Sequence, residues 1–211
     1  MHADAQAIIQ SGGYASTGSH SSLDGETHKR IRGTTSQVLN LREFIGLEGH
    51  VRRLVGEAIE RIAHRDTVDL LAEVNYELPA QVVFKLLGIS ESDIPDVKKW
   101  AGVRSVIDFS PATYDQQISG ARNLVAYWKY CAAMVNDRLQ NPRDDFTSRM
   151  LAIRSGDDAV MSLPEVTTHT FGVAFAGHET TTNQLTNTFR ELMRHPEQWR
   201  ALCDDPGLAT N

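Results

Sequence analysis

"FAGHETTTNQ", residues 175–184, places a glycine, an acid and three threonines inside a run that otherwise reads as one long buried helix. Glycine costs roughly 1 kcal/mol against alanine in a helix interior, and threonine loses rotamer freedom there. Local propensity therefore disfavours helix at these positions, yet both flanks call for it. Upstream, "SLPE" at 162–165 supplies a serine N-cap, a proline in the first turn and a glutamate three residues after the cap, which together make a capping-box start. Downstream, no further breaker that should end the pattern occurs before His195-Pro196. The pattern predicts one helix over about 163–194, about 48 Å long at a rise of 1.5 Å per residue. Eight threonines fall within it, so packing on several sides must support it, and a central, buried helix is expected.

On that helix Gly177 lies three residues before Thr180 and four before Thr181, while Ala176 lies four before Thr180. Small residues and a hydroxyl then share a face. The missing side chain leaves a dent where a flat ligand could approach the backbone, and a threonine hydroxyl can bond the carbonyl one turn back or release it. Glu179 beside Thr180 sets an acid next to an alcohol, a pair able to pass protons through water into a buried pocket. The plain alternative is helix packing around a small residue with Glu179 solvated or paired, and local physics alone favours it. A second constellation lies in "DGETHKRIRG" at 24–33. His28 and Arg32, spaced i, i+4, project from one helix face and could together hold a carboxylate, while Lys29 and Arg30 face elsewhere. Taken alone, that pair reads better as a solvated basic helix.

Outward from these segments the chain is mostly helical. A Gly/Ser-rich loop at 10–26 ends at Asp24, suited to cap the next helix. Helices are expected at about 26–39, 42–64 and 67–87, the third bent or interrupted by Pro79 and ended at Gly88. "SESD" at 90–93 suits the start of a fourth helix running to about Ile107, followed by helices at 116–140 and 145–154. Strand signals are weak, and no repeat or linker divides residues 1–211, so the chain reads as a single mainly α domain.

Composition narrows function by exclusion. With 211 residues, 41% apolar, and 21 Lys plus Arg against 27 Asp plus Glu, the formal charge is −6. That balance disfavours a general nucleic-acid binder or a polybasic membrane-surface protein. No apolar run approaches the roughly 20 residues needed to span a bilayer, and no signal-peptide order is present, so a cytoplasmic location is the default expectation. Cys131 and Cys203 lack any paired-ligand spacing, so neither a disulfide framework nor a zinc cluster is signalled and no metal ligand is assigned. A zinc-hydrolase reading of "HETTT" fails, because the second histidine of His-Glu-x-x-His would fall at Thr182.

The order His-x-x-x-Arg, a series of helices, Ala-Gly-His-Glu-Thr-Thr-Thr and an Arg-His-Pro-Glu-Gln tail resembles a soluble bacterial-type cytochrome P450. "DLLAEVNYELPAQVVFKLLGISESD" at 69–93 and "RHPEQWRALCDDPGL" at 194–208 are similar to the family's segments flanking its mobile helices and its central helix. The resemblance implies a haem b cofactor and oxidation of a small organic substrate by activated dioxygen, with a ferredoxin or flavin reductase as electron donor. By the same resemblance, His28 and Arg32 would bind the haem propionates. Ala176, Gly177 and Thr180 would line the distal oxygen pocket, Glu179 and Thr180 would support proton delivery, and residues near 101–120 would roof the substrate site.

The departures from the family are equally specific. A haem-thiolate enzyme carries its axial cysteine in a glycine-rich loop after the central helix, preceded by a Glu-x-x-Arg helix, and neither is found in residues 1–211. Cys203 lies in a short polar helix and Cys131 in a helical run before the central helix, so neither suits the ligand role. The N-terminal sheet segment is also short. The expectation is an incomplete cytochrome P450-like helical fold, roughly the middle half of an enzyme and inactive as it stands. Two other readings stay open: a non-catalytic helical small-molecule-binding protein of the same fold, and a partial chain with no independent function.

Overall fold

The computed structural model describes residues 1–18, 20–109 and 111–210, with the side chains of residues 20, 103–109 and 210 outside that description. Among the described residues ten α-helices follow one another: α1 (Ala3–Ser11), α2 (Gly25–Val38), α3 (Leu41–Gly46), α4 (Glu48–Ile62), α5 (Leu78–Leu87), α6 (Ile94–Phe109), α7 (Tyr114–Gln140), α8 (Phe146–Arg154), α9 (Leu163–Arg194) and α10 (Pro196–Asp204). No strand occurs among these residues.

α9 spans 32 residues between the limits read from the sequence. Ser162 Oγ accepts from the Glu165 amide, and the Glu165 carboxylate accepts from the Ser162 amide at 2.7 Å, so the capping box is closed in both directions. Around the first half of α9 pack α5, α7 and α8, with α6 across its middle. Their shared core joins Val166, Phe171 and Ala174 of α9 to Phe84 and Leu87 of α5, Tyr127, Trp128 and Cys131 of α7, and Phe146 and Met150 of α8. Tyr127 donates its hydroxyl to the Phe171 carbonyl at 3.0 Å, so this buried phenol is satisfied within the core.

A buried arginine closes the far end of the bundle. Arg138 of α7 donates to Asp145 at 2.6 Å and to the Gly88 carbonyl at 3.0 Å, while Asp145 also caps α8 by accepting from the Ser148 amide. Gly88 ends α5 at φ +79°, and a Cβ there would fall 2.2 Å from Asp145 Oδ2. Both the turn and the close approach exclude any larger residue.

Several boundaries differ from the sequence expectation, each for a local reason. The 42–64 run is two helices, because Asn40 caps α3 by accepting from the Arg42 and Glu43 amides and α4 restarts at Glu48. The 67–87 run contains a π-helical turn, Leu71–Asn75, before α5, and Pro79 sits in the first turn of α5, where its missing donor costs nothing. α1 has no counterpart in the sequence expectation: nine residues are too few for a stable isolated helix, but Ala5 is buried and Gly12 lies so close to Val125 of α7 that a Cβ would come within 2.5 Å. Asp24 occupies the N-cap position of α2 but makes no side-chain capping bond. The central helix is buried only over its first half. Its last buried residue is Thr182, and beyond it α9 meets α10 and the π turn, through Phe189 on Trp199 and Thr186 on Asn75.

Candidate functional site

The threonines of α9 are accommodated by one repeated device. Thr180 Oγ1 donates to the Ala176 carbonyl at 2.6 Å and Thr181 Oγ1 to the Gly177 carbonyl at 2.8 Å, as Thr167, Thr168, Thr186 and Thr188 do one turn back from themselves. Each hydroxyl doubles up on a carbonyl already in the helix ladder, so the helix stays continuous through 175–184. The side chains of Ala176 and Thr180 face outward and are exposed.

Gly177 does not share that outward face. A Cβ on it would stand 2.9 Å from Val83 Cγ2, so α5 fills the dent expected to admit a flat ligand. Glycine here permits close helix packing. Its neighbour His178 is buried against Phe84 at 5.7 Å between ring centroids. His178 Nδ1 lies 2.6 Å from the Ala174 carbonyl, which fixes Nδ1 as the donor and leaves Nε2 the acceptor. Burial holds its pKa below the ordinary value, with Lys98 acting in the same direction and the Ala174 bond and Glu179 opposing.

Glu179 is half-buried and turns toward α6, where a Cβ on Gly102 would lie 3.3 Å from its Oε1. Acid and alcohol are therefore adjacent in sequence but aimed at different surroundings, the carboxylate at α6 and the hydroxyl at the open face. Nearby, Lys98 of α6 is buried between the Tyr76 ring, 3.3 Å from its centroid, and Glu77 Oε1 at 2.8 Å. Burial lowers the Lys98 pKa, and the Glu77 contact only partly offsets it.

On α2, His28 is half-buried and Arg32 exposed. The residue between them is committed to α9. Arg30 clasps Glu165 with two hydrogen bonds, 2.6 and 3.2 Å, and donates to the Val160 carbonyl at 2.9 Å. Burial pushes the Glu165 carboxyl up, but Arg30 and the Ser162 bonds outweigh it and hold the pKa below the usual range. Because Arg30 lies about 160–200° around the helix from His28 and Arg32 at 3.6 residues per turn, this clasp pins the opposite side of α2 to the start of α9. Nothing in the local sequence signals that pairing, since the partners are 135 positions apart.

The donor set suits one end of a haem: an imidazole and a guanidinium on one helix face match two carboxylates, and Ala176 and Thr180 present small side chains at an exposed stretch of α9. The thiols do not suit the iron. Cys131 is sealed in the core, where burial pushes its thiol far above the usual range, and Cys203 sits exposed on α10. Of the expected roof over the substrate, 101–120, residues 103–110 lie outside the described side chains, and the rest falls on Ala101 and Gly102 of α6 and on residues 111–120 around the start of α7.

Residues 60–204 match the family model "Cytochrome P450". Over 186 residues, 88% of this chain, it is 30% identical to cytochrome P450 107B1 of Saccharopolyspora erythraea and covers 44% of that protein. It is 26% identical over 188 residues to the 6-deoxyerythronolide B hydroxylase of the same organism, covering 45% of it. Among solved structures, cytochrome P450 CREJ superposes with a TM-score of 0.90 at 28% identity, over 98% of this chain and 51% of that one. The chain thus spans less than half the length of these two curated relatives.

Proposed function

Because the chain belongs to the cytochrome P450 family, we propose that residues 1–211 form part of one domain of a haem-dependent monooxygenase that oxidises a small organic substrate. The observation that carries this reading is the Thr180 hydroxyl, held on the Ala176 carbonyl at the open face of α9 beside a glutamate that reaches α6. When bound, haem b supplies dioxygen activation and the oxidising chemistry. His28 and Arg32 bind and orient its propionates from α2, and Ala176 keeps the distal wall low. Thr180 presents a hydroxyl that can turn from the Ala176 carbonyl to hold or pass a proton at Oγ1, and Glu179, directed at α6, would exchange protons with it through water. Gly177 contributes indirectly, by letting α9 seat on Val83.

The iron thiolate then comes from sequence outside residues 1–211, a reading supported by the placement of Cys131 and Cys203 and by the coverage of relatives. A ferredoxin or flavin reductase is the electron donor we expect. No helix among the described residues is long and apolar enough to cross a membrane. The 211-residue chain alone should give no thiolate-type carbon monoxide difference spectrum and no substrate oxidation. Such a spectrum from this chain would refute the assignment of the ligand to other sequence.

The proton role is tested by Thr180→Ala in the complete enzyme. Product formed per reduced nicotinamide consumed should fall severalfold, with peroxide rising and haem content unchanged. An unchanged ratio removes Thr180 from proton delivery, and loss of haem assigns it a structural role instead.

A further inference from the structure

Away from the α9 face, a cavity of about 370 Å³ opens between α4, α5 and the start of α6. None of Ala176, Gly177, Glu179, Thr180, His28 or Arg32 lines it. We propose that this cavity is a second binding site, which takes a small organic anion with an apolar body, such as a medium-chain carboxylate.

The volume lies within the roughly 300–1,000 Å³ of small-molecule sites, and the floor is apolar, made by Leu54, Ala58, Leu78 and Ile89. The rim decides the sign of the ligand. Of its charged groups, Arg53 is neutralised by Glu57 at 2.7 Å, and Glu77 by Lys98 at 2.8 Å. Arg61 donates to the Glu73 backbone carbonyl at 3.2 Å and forms no ion pair with a carboxylate among the described residues. Lys85, exposed on α5, makes no ion pair there either. Against these two cations without a carboxylate partner stands the carboxylate of Glu91, so that with Lys98 set against Glu77 the rim is one charge positive.

His50 in the wall points the same way. Arg53 Nη2 donates to His50 Nδ1 at 3.2 Å, and since a guanidinium only donates, the neutral ring must carry its proton on Nε2. That N–H is buried and makes no hydrogen bond of good geometry, and the Gln81 backbone is the group beside it that favours a protonated ring. A bound carboxylate would balance Arg61 and Lys85, and a turn of the His50 ring toward the cavity would give it this N–H as a further donor. Burial, followed by the Arg53 and Lys85 charges, keeps the imidazole neutral, consistent with that tautomer. An apolar molecule alone would leave donor and cations as they are, and a cation would be repelled.

Octanoate is the probe, with octan-1-ol as its uncharged counterpart, and binding is followed by equilibrium dialysis against the protein and three variants. Octanoate should bind at one site, and octan-1-ol about tenfold more weakly. Lys85→Gln and Arg61→Gln should each weaken octanoate about five- to tenfold, the scale of one lost charge-assisted bond. Both side chains are exposed, so these variants should keep the fold, checked by circular dichroism. Ala58→Leu, which fills the floor, should remove binding, and if it fails to fold the two charge variants still decide. The proposal is overturned if octanoate does not bind below about 10 mM, the threshold at which affinity falls to under about 3 kcal/mol. It is equally overturned if octanol binds as well as octanoate, or if Lys85→Gln and Arg61→Gln leave binding unchanged, as they would for a ligand seated at the α9 face.

Discussion

The two halves of α9 share one helix and one kind of threonine but live in different surroundings. Residues 163–182 include all the buried positions of α9, Val166, Phe171, Ala174 and His178 among them, whereas residues 183–194 include none. Helix continuity across that change cannot come from burial. It comes from a closed capping box at the start, a proline stop at the end and hydroxyls that fold back onto the ladder instead of competing with it. Burial instead decides which residues are committed to packing. Ala176 and Thr180 stand just before the changeover, still helical and already exposed, where a ligand can meet them.

The comparison breaks most visibly at two phenylalanines. Phe171 is 1% exposed and stacked on Tyr127 at 4.6 Å, while Phe189 in the second half is more exposed and meets Trp199 at 6.4 Å between ring centroids. Phe171→Ala should cost about 3–5 kcal/mol by urea denaturation. Phe189→Ala should cost under about 1.5 kcal/mol, since it removes less buried surface. Equal losses would mean that the second half is packed as tightly as the first.

Two glycines of the same helix sharpen the contrast within the buried half. Gly177→Ala drives a Cβ to 2.9 Å from Val83, and the overpacking should cost about 1–3 kcal/mol. At Gly172 an added Cβ would meet nothing within 4 Å, so Gly172→Ala should instead stabilise by about 0.5–1 kcal/mol. Opposite signs from identical substitutions would confirm that Gly177 serves the contact with α5. Matching signs would return it to the open face.

These cases also mark what was legible in the sequence. The ends of α9 could be read because the Ser162–Glu165 box and the His195-Pro196 stop act within a few residues of themselves. The interruption before α5 was legible from Pro79 for the same reason. Which way Gly177 faces was not, since Val83 reaches it only through the packing of α5 on α9. The Arg30–Glu165 clasp and the docking of α1 on α7 were equally hidden, being pairings between distant parts of the chain. At the candidate site, the residue types of His28, Arg32, Glu179 and Thr180 could be read, but their orientations could not.

A pH titration separates the halves by charge. Burial is the leading cause that lowers the pKa of both His169 and His178, and both lie in the first half. Their folded-state pKa values fall below the unfolded value near 6.5, so the unfolded chain binds more protons in that window. Stability is therefore full above about pH 6.5 and falls as pH drops toward the folded pKa values, by up to about 1.4 kcal/mol per pH unit for each histidine. Because His50 is lowered in the same way, His178→Phe, which keeps an aromatic ring against Phe84, should remove roughly a third of the slope between pH 6.5 and 5.5 in urea-denaturation midpoints. An unchanged slope would show that His178 is not the group held neutral.

The smallest expected effect concerns the threonines themselves, and it bears on the stretch that posed the problem. Thr168 accepts from both the amide and the hydroxyl of Thr17 at 3.1 Å while donating to the Pro164 carbonyl, so it ties the loop before α2 to the buried half of α9. Thr168→Ala should cost about 1 kcal/mol, one net hydrogen bond with its partners left unsatisfied. Thr188, exposed in the second half, makes only its bond back to Gln184, and Thr188→Ala should gain a few tenths of a kcal/mol from helix propensity. Thr180 has the same exposed, back-bonded geometry as Thr188, so Thr180→Ala should likewise be neutral to slightly stabilising in thermal melts. Such a result would show that the fold does not need the Thr180 hydroxyl, which leaves it free for the proposed proton role. If Thr180→Ala instead destabilises by about 1 kcal/mol or more, on the order of a lost structural hydrogen bond, its hydroxyl belongs with Thr168 and the case for a proton carrier at that position fails.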